Sequence, residues 1–192
     1  MNAGKRKIVL AITGASGSIY ARKLITKLQK LEEAPDEIAI ILSKTAREIW
    51  VAETGSKFAS EGSAKEYMND SFFAPFASGS SRFDTMIICP ASMGTLGRIA
   101  NGISDTLITR TADVMLKEGR RLIVVPREAP YSLIHLKNMK KLKQAGAVIC
   151  PASPSFYSRP ETIDDLVMTV VDRVIDLAGF NNNAYRWLSN DR

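Results

Sequence analysis

Residues 7–13 (KIVLAIT) form a β-rich apolar run that carries no charge after Lys7 and stops at the small turn Gly14-Ala15-Ser16-Gly17. A run without polar alternation buries both faces, which is the pattern of a strand in a parallel sheet covered by helices. Four further runs behave in the same way: residues 37–43 (EIAIILS), 84–90 (DTMIICP), 121–126 (RLIVVP) and 147–151 (AVICP). Helical patterns separate them. Ile19, Leu24, Ile25, Leu28 and Leu31 recur at helical spacing up to Pro35. Further helices are predicted over 45–53, 91–100, 103–116 and 131–144, with Gly146 ending the last of these. Residues 162–178 form the closing helix, with Thr162 as its cap, Asp165 three residues on, and an expected buried stripe through Ile163, Leu166, Val167, Val170, Val171, Val174 and Ile175.

Strand–helix–strand crossovers of this kind are right-handed and place helices on both faces of a sheet. No internal repeat or linker interrupts the order. The chain therefore reads as one domain over residues 1–192, with its core at about 7–178 and a tail at 179–192. The fold class is α/β, a Rossmann-like (flavodoxin-like) three-layer sandwich with a mostly parallel central sheet. Residues 54–82 lack strand or helix periodicity and read as an irregular excursion with an aromatic cluster at Phe72, Phe73 and Phe76. Its end, residues 75–81 (PFASGSS), reads as too small and polar for core.

The 26 basic and 20 acidic residues leave a net charge of +6, which attracts anions of any kind. The positives are scattered except for Lys137, Lys140, Lys141 and Lys143, which read as the wet face of a helix, so nucleic acid is not the expected partner. No stretch approaches the roughly 18 apolar residues of a membrane span. The polar start lacks a signal-peptide core, and a cytoplasmic protein is expected. Cys89 and Cys150 each end an apolar run and read as reduced, buried thiols. The single histidine, His135, sits between Ile134 and Leu136 and reads as structural. One histidine and two separated cysteines give no usual metal site. No GxSxG elbow anchors a hydrolase.

Ligands in such folds sit outside the carboxyl ends of the strands, so what stands there carries the chemistry. The first run is followed by Gly14, Ala15, Ser16, Gly17 and Ser18, a turn that lets a phosphate approach backbone N–H groups at a helix N-terminus. It is neither the GxGxxG fingerprint nor a Walker loop, so a mononucleotide is favoured over a dinucleotide. Ser43 follows the second run, Pro90-Ala91-Ser92-Met93-Gly94-Thr95 the third, Arg127 and Glu128 the fourth, and Pro151 to Tyr157 the fifth. Glu53 near the end of its helix is a second carboxylate. Arg110, Asp113 and Lys117 share one helix face. Arg173 interrupts an apolar helix and is expected to reach a site or a subunit contact.

Taken in order, the segments TGASG (13–17), ASGS (77–80), ICPASMGTL (88–96), ADVMLKEGRRLIVVPREAP (112–130), IHLKNMKKL (134–142) and GAVICPASPSFY (146–157) resemble the UbiX-type, or Pad-type, flavin prenyltransferases. The resemblance spans roughly residues 7–188. It implies FMN contacts at Gly14, Ala15, Ser16, Ser43, Ser92, Met93, Gly94, Thr95 and Arg127. It implies prenyl-phosphate contacts at Arg110, Lys117, Arg127, Tyr157 and Arg173, and proton handling at Ser16, Glu53 and Glu128. The family often has a tryptophan before its APxASGS segment, where Phe72 or Phe73 stands here.

The resemblance further implies reduced FMN as acceptor, dimethylallyl monophosphate as donor and no metal. It implies transfer to flavin N5 and C6, and a homo-oligomer, usually a dodecamer, with sites at subunit junctions. Its product, prenylated FMN, passes to a UbiD-type decarboxylase. Two readings compete. A flavin-dependent decarboxylase acting directly on an aromatic or cysteinyl acid shares part of the pattern; the early helices here lack the histidine of the cysteinyl branch, and turnover by the purified protein alone distinguishes the aromatic version. A plain flavin carrier would have no need of Glu53 and Glu128.

Overall fold

The computed structural model describes residues 6–186; residues 1–5 and the end of the expected tail, 187–192, lie outside the described residues. The elements in chain order are β1 (Lys7–Ile12), α1 (Ser18–Gln29), β2 (Glu37–Leu42), α2 (Lys44–Thr54), β3 (Ala64–Met68), β4 (Thr85–Ala91), α3 (Met93–Ala100), α4 (Leu107–Lys117), β5 (Arg121–Pro126), α5 (Leu133–Gln144), β6 (Val148–Ile149) and α6 (Ile163–Leu177). The six strands form one sheet in the order β3-β2-β1-β4-β5-β6, and every adjacent pair is parallel.

The five strands read from sequence, taken alone, stand in the flavodoxin order 2-1-3-4-5; β3 adds an outer strand and completes the order 3-2-1-4-5-6. This corrects the expectation of a wholly irregular excursion. β3 is an edge strand whose sequence, AKEYM, carries two charges and has no buried residue, so it has no apolar run to betray it. Backbone pairing with β2, not side-chain burial, makes it a strand.

Two apolar layers sandwich the sheet. On one face α1 and α6 pack with Trp50 of α2 on Ile8, Leu10, Ile38, Ile40 and Ile123. On the other, α3 and α4 pack on Val9, Ala11, Met86, Ile88 and Val124. Leu10 is fully buried at the centre of β1. Its replacement by Ala should lower the unfolding free energy by ~2–5 kcal/mol through lost transfer energy and a residual cavity. Urea denaturation with an unchanged slope is the check.

The excursion's end is also less polar than it reads. Phe76 is wholly buried and makes edge-to-face contacts with Tyr67 and Phe83 at centroid distances of 4.9 and 5.1 Å. Small neighbours hide this aromatic anchor from a composition argument. Pro90, read as a strand terminator, instead lies inside β4, at a register irregularity between Ile88 and Ala91 and after a cis Cys89–Pro90 bond. A bulge is where a strand tolerates proline. The helix expected from 91 accordingly starts at Met93, and the one expected from 103 starts at Leu107. The Thr162–Asp165 capping box is present, and the buried stripe of α6 runs through Val167, Val170, Val171, Val174 and Ile175, whereas Ile163, in the first turn, is exposed.

Candidate active site

The strand order reverses between β1 and β4, and the crevice opens at their carboxyl ends. Thr13, almost fully buried, stitches that crevice shut from below. Its N–H and hydroxyl both donate to the Pro90 carbonyl, at 3.1 and 2.9 Å, and its Oγ1 accepts from the Ser92 N–H at 2.7 Å. Thr13 thus fixes the Gly14–Gly17 turn relative to the start of α3, a role that its place in an apolar run did not reveal.

The turn itself is held from three sides. Gly17 has φ 117°, in the left-handed region, and a Cβ there would meet the Tyr20 ring at 2.9 Å. Arg127, reaching over from the end of β5, donates through Nε to the Ser16 carbonyl at 3.0 Å. Glu53, near the end of α2, accepts from the N–H of Gly17 at 3.0 Å and from that of Ser18 at 2.7 Å. These N–H groups begin α1 and are the donors that sequence reading offers to a phosphate; here a carboxylate of the chain holds them. Partial burial raises the Glu53 carboxyl. Hydrogen bonds from the Ser16 and Ser18 hydroxyls and from the two N–H groups outweigh this and hold it below the usual carboxylate range.

A cavity of about 260 Å³ lies beside the turn, lined by Gly14, Ser43, Ser92, Gly94 and Thr95 together with hydroxyls that sequence reading missed, Thr45, Thr106 and Thr109. Ser43, Ser92 and Thr106 are the N-caps of α2, α3 and α4, and each side chain accepts from its helix's N3 N–H. Three helix N-termini therefore open on one small space lined by hydroxyls and by the Arg98–Asp105 ion pair, whose arginine neutralises its one carboxylate, an arrangement suited to an anion. A Cβ at Gly14 would stand 2.9 Å from the Thr45 side chain, so the close approach of turn and α2 needs glycine. Met93 turns its side chain into the core, leaving its backbone N–H at the α3 N-terminus. Ala15 is likewise buried. The residue set fits a phosphorylated mononucleotide.

A larger cavity of about 730 Å³ lies along α6 and the loop after β6, where Tyr157, Arg159 and Arg173 line it with Cys150 and Met168. Burial pushes the Cys150 thiol up and nearby Arg173 pulls it back; burial and the neighbouring Cys150 push Cys89 up. Both thiols are free.

The proposed phosphate-binding residues do not all meet within one chain. Arg110 and Lys117 stand on α4, packed against the sheet face opposite α6. Arg110 donates to the Ala77 carbonyl at 3.0 Å and pairs with Asp113 at 3.3 Å; Lys117 pairs with Glu118 at 3.4 Å. Arg173 is exposed rather than buried in its apolar helix. Glu128 is exposed as well, not buried within this chain, and accepts its own neighbour's N–H, from Ala129, at 3.0 Å. Phe73 is fully exposed at 102 % and Phe72 at 46 %, so neither walls a cavity within the chain. His135 caps α5 through Nδ1, which accepts from the Ser132 N–H at 3.2 Å, a structural role. Among the described residues no group of three or more metal-ligating side chains occurs, and no helix is long and apolar enough to cross a membrane.

The parallel sheet and its switch-point crevice define a doubly wound nucleotide-binding class of fold, and residues 1–175 match the flavoprotein family. A flavin prenyltransferase UbiX of Methanocaldococcus jannaschii is 44 % identical over 184 residues, covering 94 % of this chain and 98 % of the relative. A dodecameric FMN-dependent UbiX-like decarboxylase of Escherichia coli O157:H7 superposes with TM-score 0.88 at 38 % identity, covering 95 % of this chain and 100 % of that one. The UbiX protein PadA1, solved in complex with FMN and dimethylallyl pyrophosphate, gives TM-score 0.87 at 38 % identity, covering 95 and 99 %. The chain belongs to the UbiX-type flavin prenyltransferases.

Proposed function

We propose that this protein transfers a dimethylallyl group from dimethylallyl monophosphate to N5 and C6 of reduced FMN. The observation that carries the reading is the pairing at the switch point of a hydroxyl-lined cavity with a turn that bears Ser16 and is held by Arg127 and an ionised Glu53. FMN supplies the nucleophilic N5 and C6. Its phosphate fits the cavity at Ser43, Ser92, Gly94 and Thr95, and not the α1 N-terminus, whose N–H groups Glu53 already holds. Gly14, Ala15, Ser16, Met93 and Arg127 then flank the ring.

Transfer breaks the donor's carbon–oxygen bond and releases phosphate. Arg127, Tyr157 and Arg173 receive that anion, with Arg110 and Lys117 contributed at a subunit junction. The N5 proton leaves as N5 takes the allyl carbon. Closing the fourth ring then adds a proton to the allyl double bond and removes one from C6. Ser16, Glu53 and Glu128 handle these protons, Glu53 at the C6 edge. The exposed Phe72 and Phe73 fit a role in a homo-oligomer, a dodecamer by analogy with the E. coli structure, in which they shield the allyl cation from water. The protein acts in the cytoplasm as one flavoprotein domain, and a UbiD-type decarboxylase receives the prenylated FMN.

Anaerobic incubation with reduced FMN and dimethylallyl monophosphate, followed by mass measurement of the released flavin, tests this; an unchanged flavin mass refutes it. The small cavity also predicts that FMN binds at least about tenfold more tightly than FAD, a difference of ~1.4 kcal/mol, in calorimetric titration. Exhaustive chelation should leave activity intact, and restoration by Mg²⁺ of an activity lost to chelation would contradict the metal-free reading.

A further inference from the structure

The loop between β6 and α6 holds the one described non-glycine residue with a left-handed backbone, Arg159 at φ 54°. Such a conformation is uncommon outside glycine, asparagine and aspartate, costs a long side chain some strain, and is held in place by the surrounding structure. Arg159 lines the same 730 Å³ cavity as Tyr157 and Arg173. Among the described residues neither guanidinium makes an ion pair or a side-chain hydrogen bond.

Most carboxylates around that cavity are already engaged. Asp165 accepts from Thr162 in the α6 capping box, Asp172 pairs with Lys27, and Asp176 pairs with Arg186 and accepts from Asn182. Glu161 is the exception, with no ion pair among the described residues. The cavity therefore presents two unneutralised guanidiniums and one opposing carboxylate.

Resting on the donor site proposed above, we infer that Arg159 is a specificity-determining residue that grips the second phosphate of a diphosphate donor, while Arg173 and Tyr157 grip the phosphate ester common to both donor forms. A guanidinium offers five N–H donors in a fixed fork and suits a terminal phosphate. Arg159 adds to the groups assigned to the ester phosphate a further unpaired guanidinium on the same cavity, which matches a longer anion. The left-handed backbone at 159, next to Pro160, fixes the side chain's base in the loop that leads to α6.

The test separates binding from turnover by loading the full-length protein with oxidised FMN, which cannot accept the prenyl group. Dimethylallyl monophosphate and dimethylallyl diphosphate are then titrated calorimetrically at low salt. Arg159→Gly suits the left-handed backbone, so its unfolding temperature should hold or rise. It should weaken the diphosphate by ~10–100-fold, the worth of a charge-assisted bond, and the monophosphate by no more than about threefold. Arg159→Lys should recover part of the loss, Glu161→Gln should tighten the diphosphate, and Arg173→Gln should weaken both donors. Equal shifts for the two donors in Arg159→Gly, or no shift in either, overturn the inference. A wild-type protein that binds both donors but leaves the mass of reduced FMN unchanged would instead defeat the proposed function and leave the phosphate preference standing.

Discussion

Glu53→Gln is expected to bind FMN and to cleave the prenyl phosphate, yet to release a flavin alkylated at N5 whose fourth ring is open. Ring closure should slow by ~10²–10⁴-fold, the usual worth of a positioned base. The separation of steps follows from geometry. Glu53 belongs to the turn that carries Ser16, through the Gly17 and Ser18 N–H groups, and not to the cavity proposed for the donor phosphate. Glutamine keeps an oxygen that can accept those N–H groups, so the turn should survive, whereas Glu53→Ala would leave them without their acceptor.

The lowered pKa of Glu53 sets the pH behaviour. Its folded value lies below its unfolded one. The stabilisation is therefore present above the ordinary carboxylate pKa and is lost as pH falls through the lowered folded value. At neutral pH the group is ionised and ready to accept a proton, and the acid limb of ring closure should lie below the range of a free glutamate. Rapid mixing without oxygen, with quenched samples weighed by mass spectrometry, distinguishes the stages. Normal closure in Glu53→Gln removes Glu53 as base. Failure of that variant to bind flavin makes its role structural and turns attention to Glu128.

Most of the sheet was legible because its strands are apolar on both faces, and such runs have few other uses. β3 was not, because an edge strand earns its place by backbone pairing while its side chains stay wet. The cofactor-side residues were legible in part. Ser43 and Ser92 stand directly after strands, so position alone marks them. Thr106 and Thr109 come from a helix that reads as starting four residues earlier, and their hydroxyls reach the cavity only because Asn69, after the unseen β3, meets the α4 N-terminus. Glu53 was recognisable as a carboxylate worth weighing; that it caps a helix 35 residues away in sequence was not, since a tertiary contact leaves no local pattern.

Loss of either Arg173 or Lys117 should weaken donor binding and slow adduct formation by ~10–100-fold, each removing a charge-assisted bond to phosphate. The two stand on helices on opposite faces of the sheet, α6 and α4, so one chain does not bring them to a common anion. A junction between subunits can. The consequence is subunit complementation. When Arg173→Ala and Lys117→Ala chains are co-expressed and assemble at random in equal amounts, about a quarter of junctions should carry both native residues. The mixed oligomer should then regain up to that share of wild-type turnover, while each variant alone remains slow. Mixing after separate assembly should restore nothing until the oligomers are dissociated and re-formed, which rules out simple averaging. No recovery in the co-expressed oligomer, with both chains present by mass, would mean that the residues act in one chain or that Lys117 serves only its contact with Glu118. Arg110→Ala paired with Arg173→Ala should behave as Lys117→Ala does, because Arg110 stands on the same face of α4 two turns away.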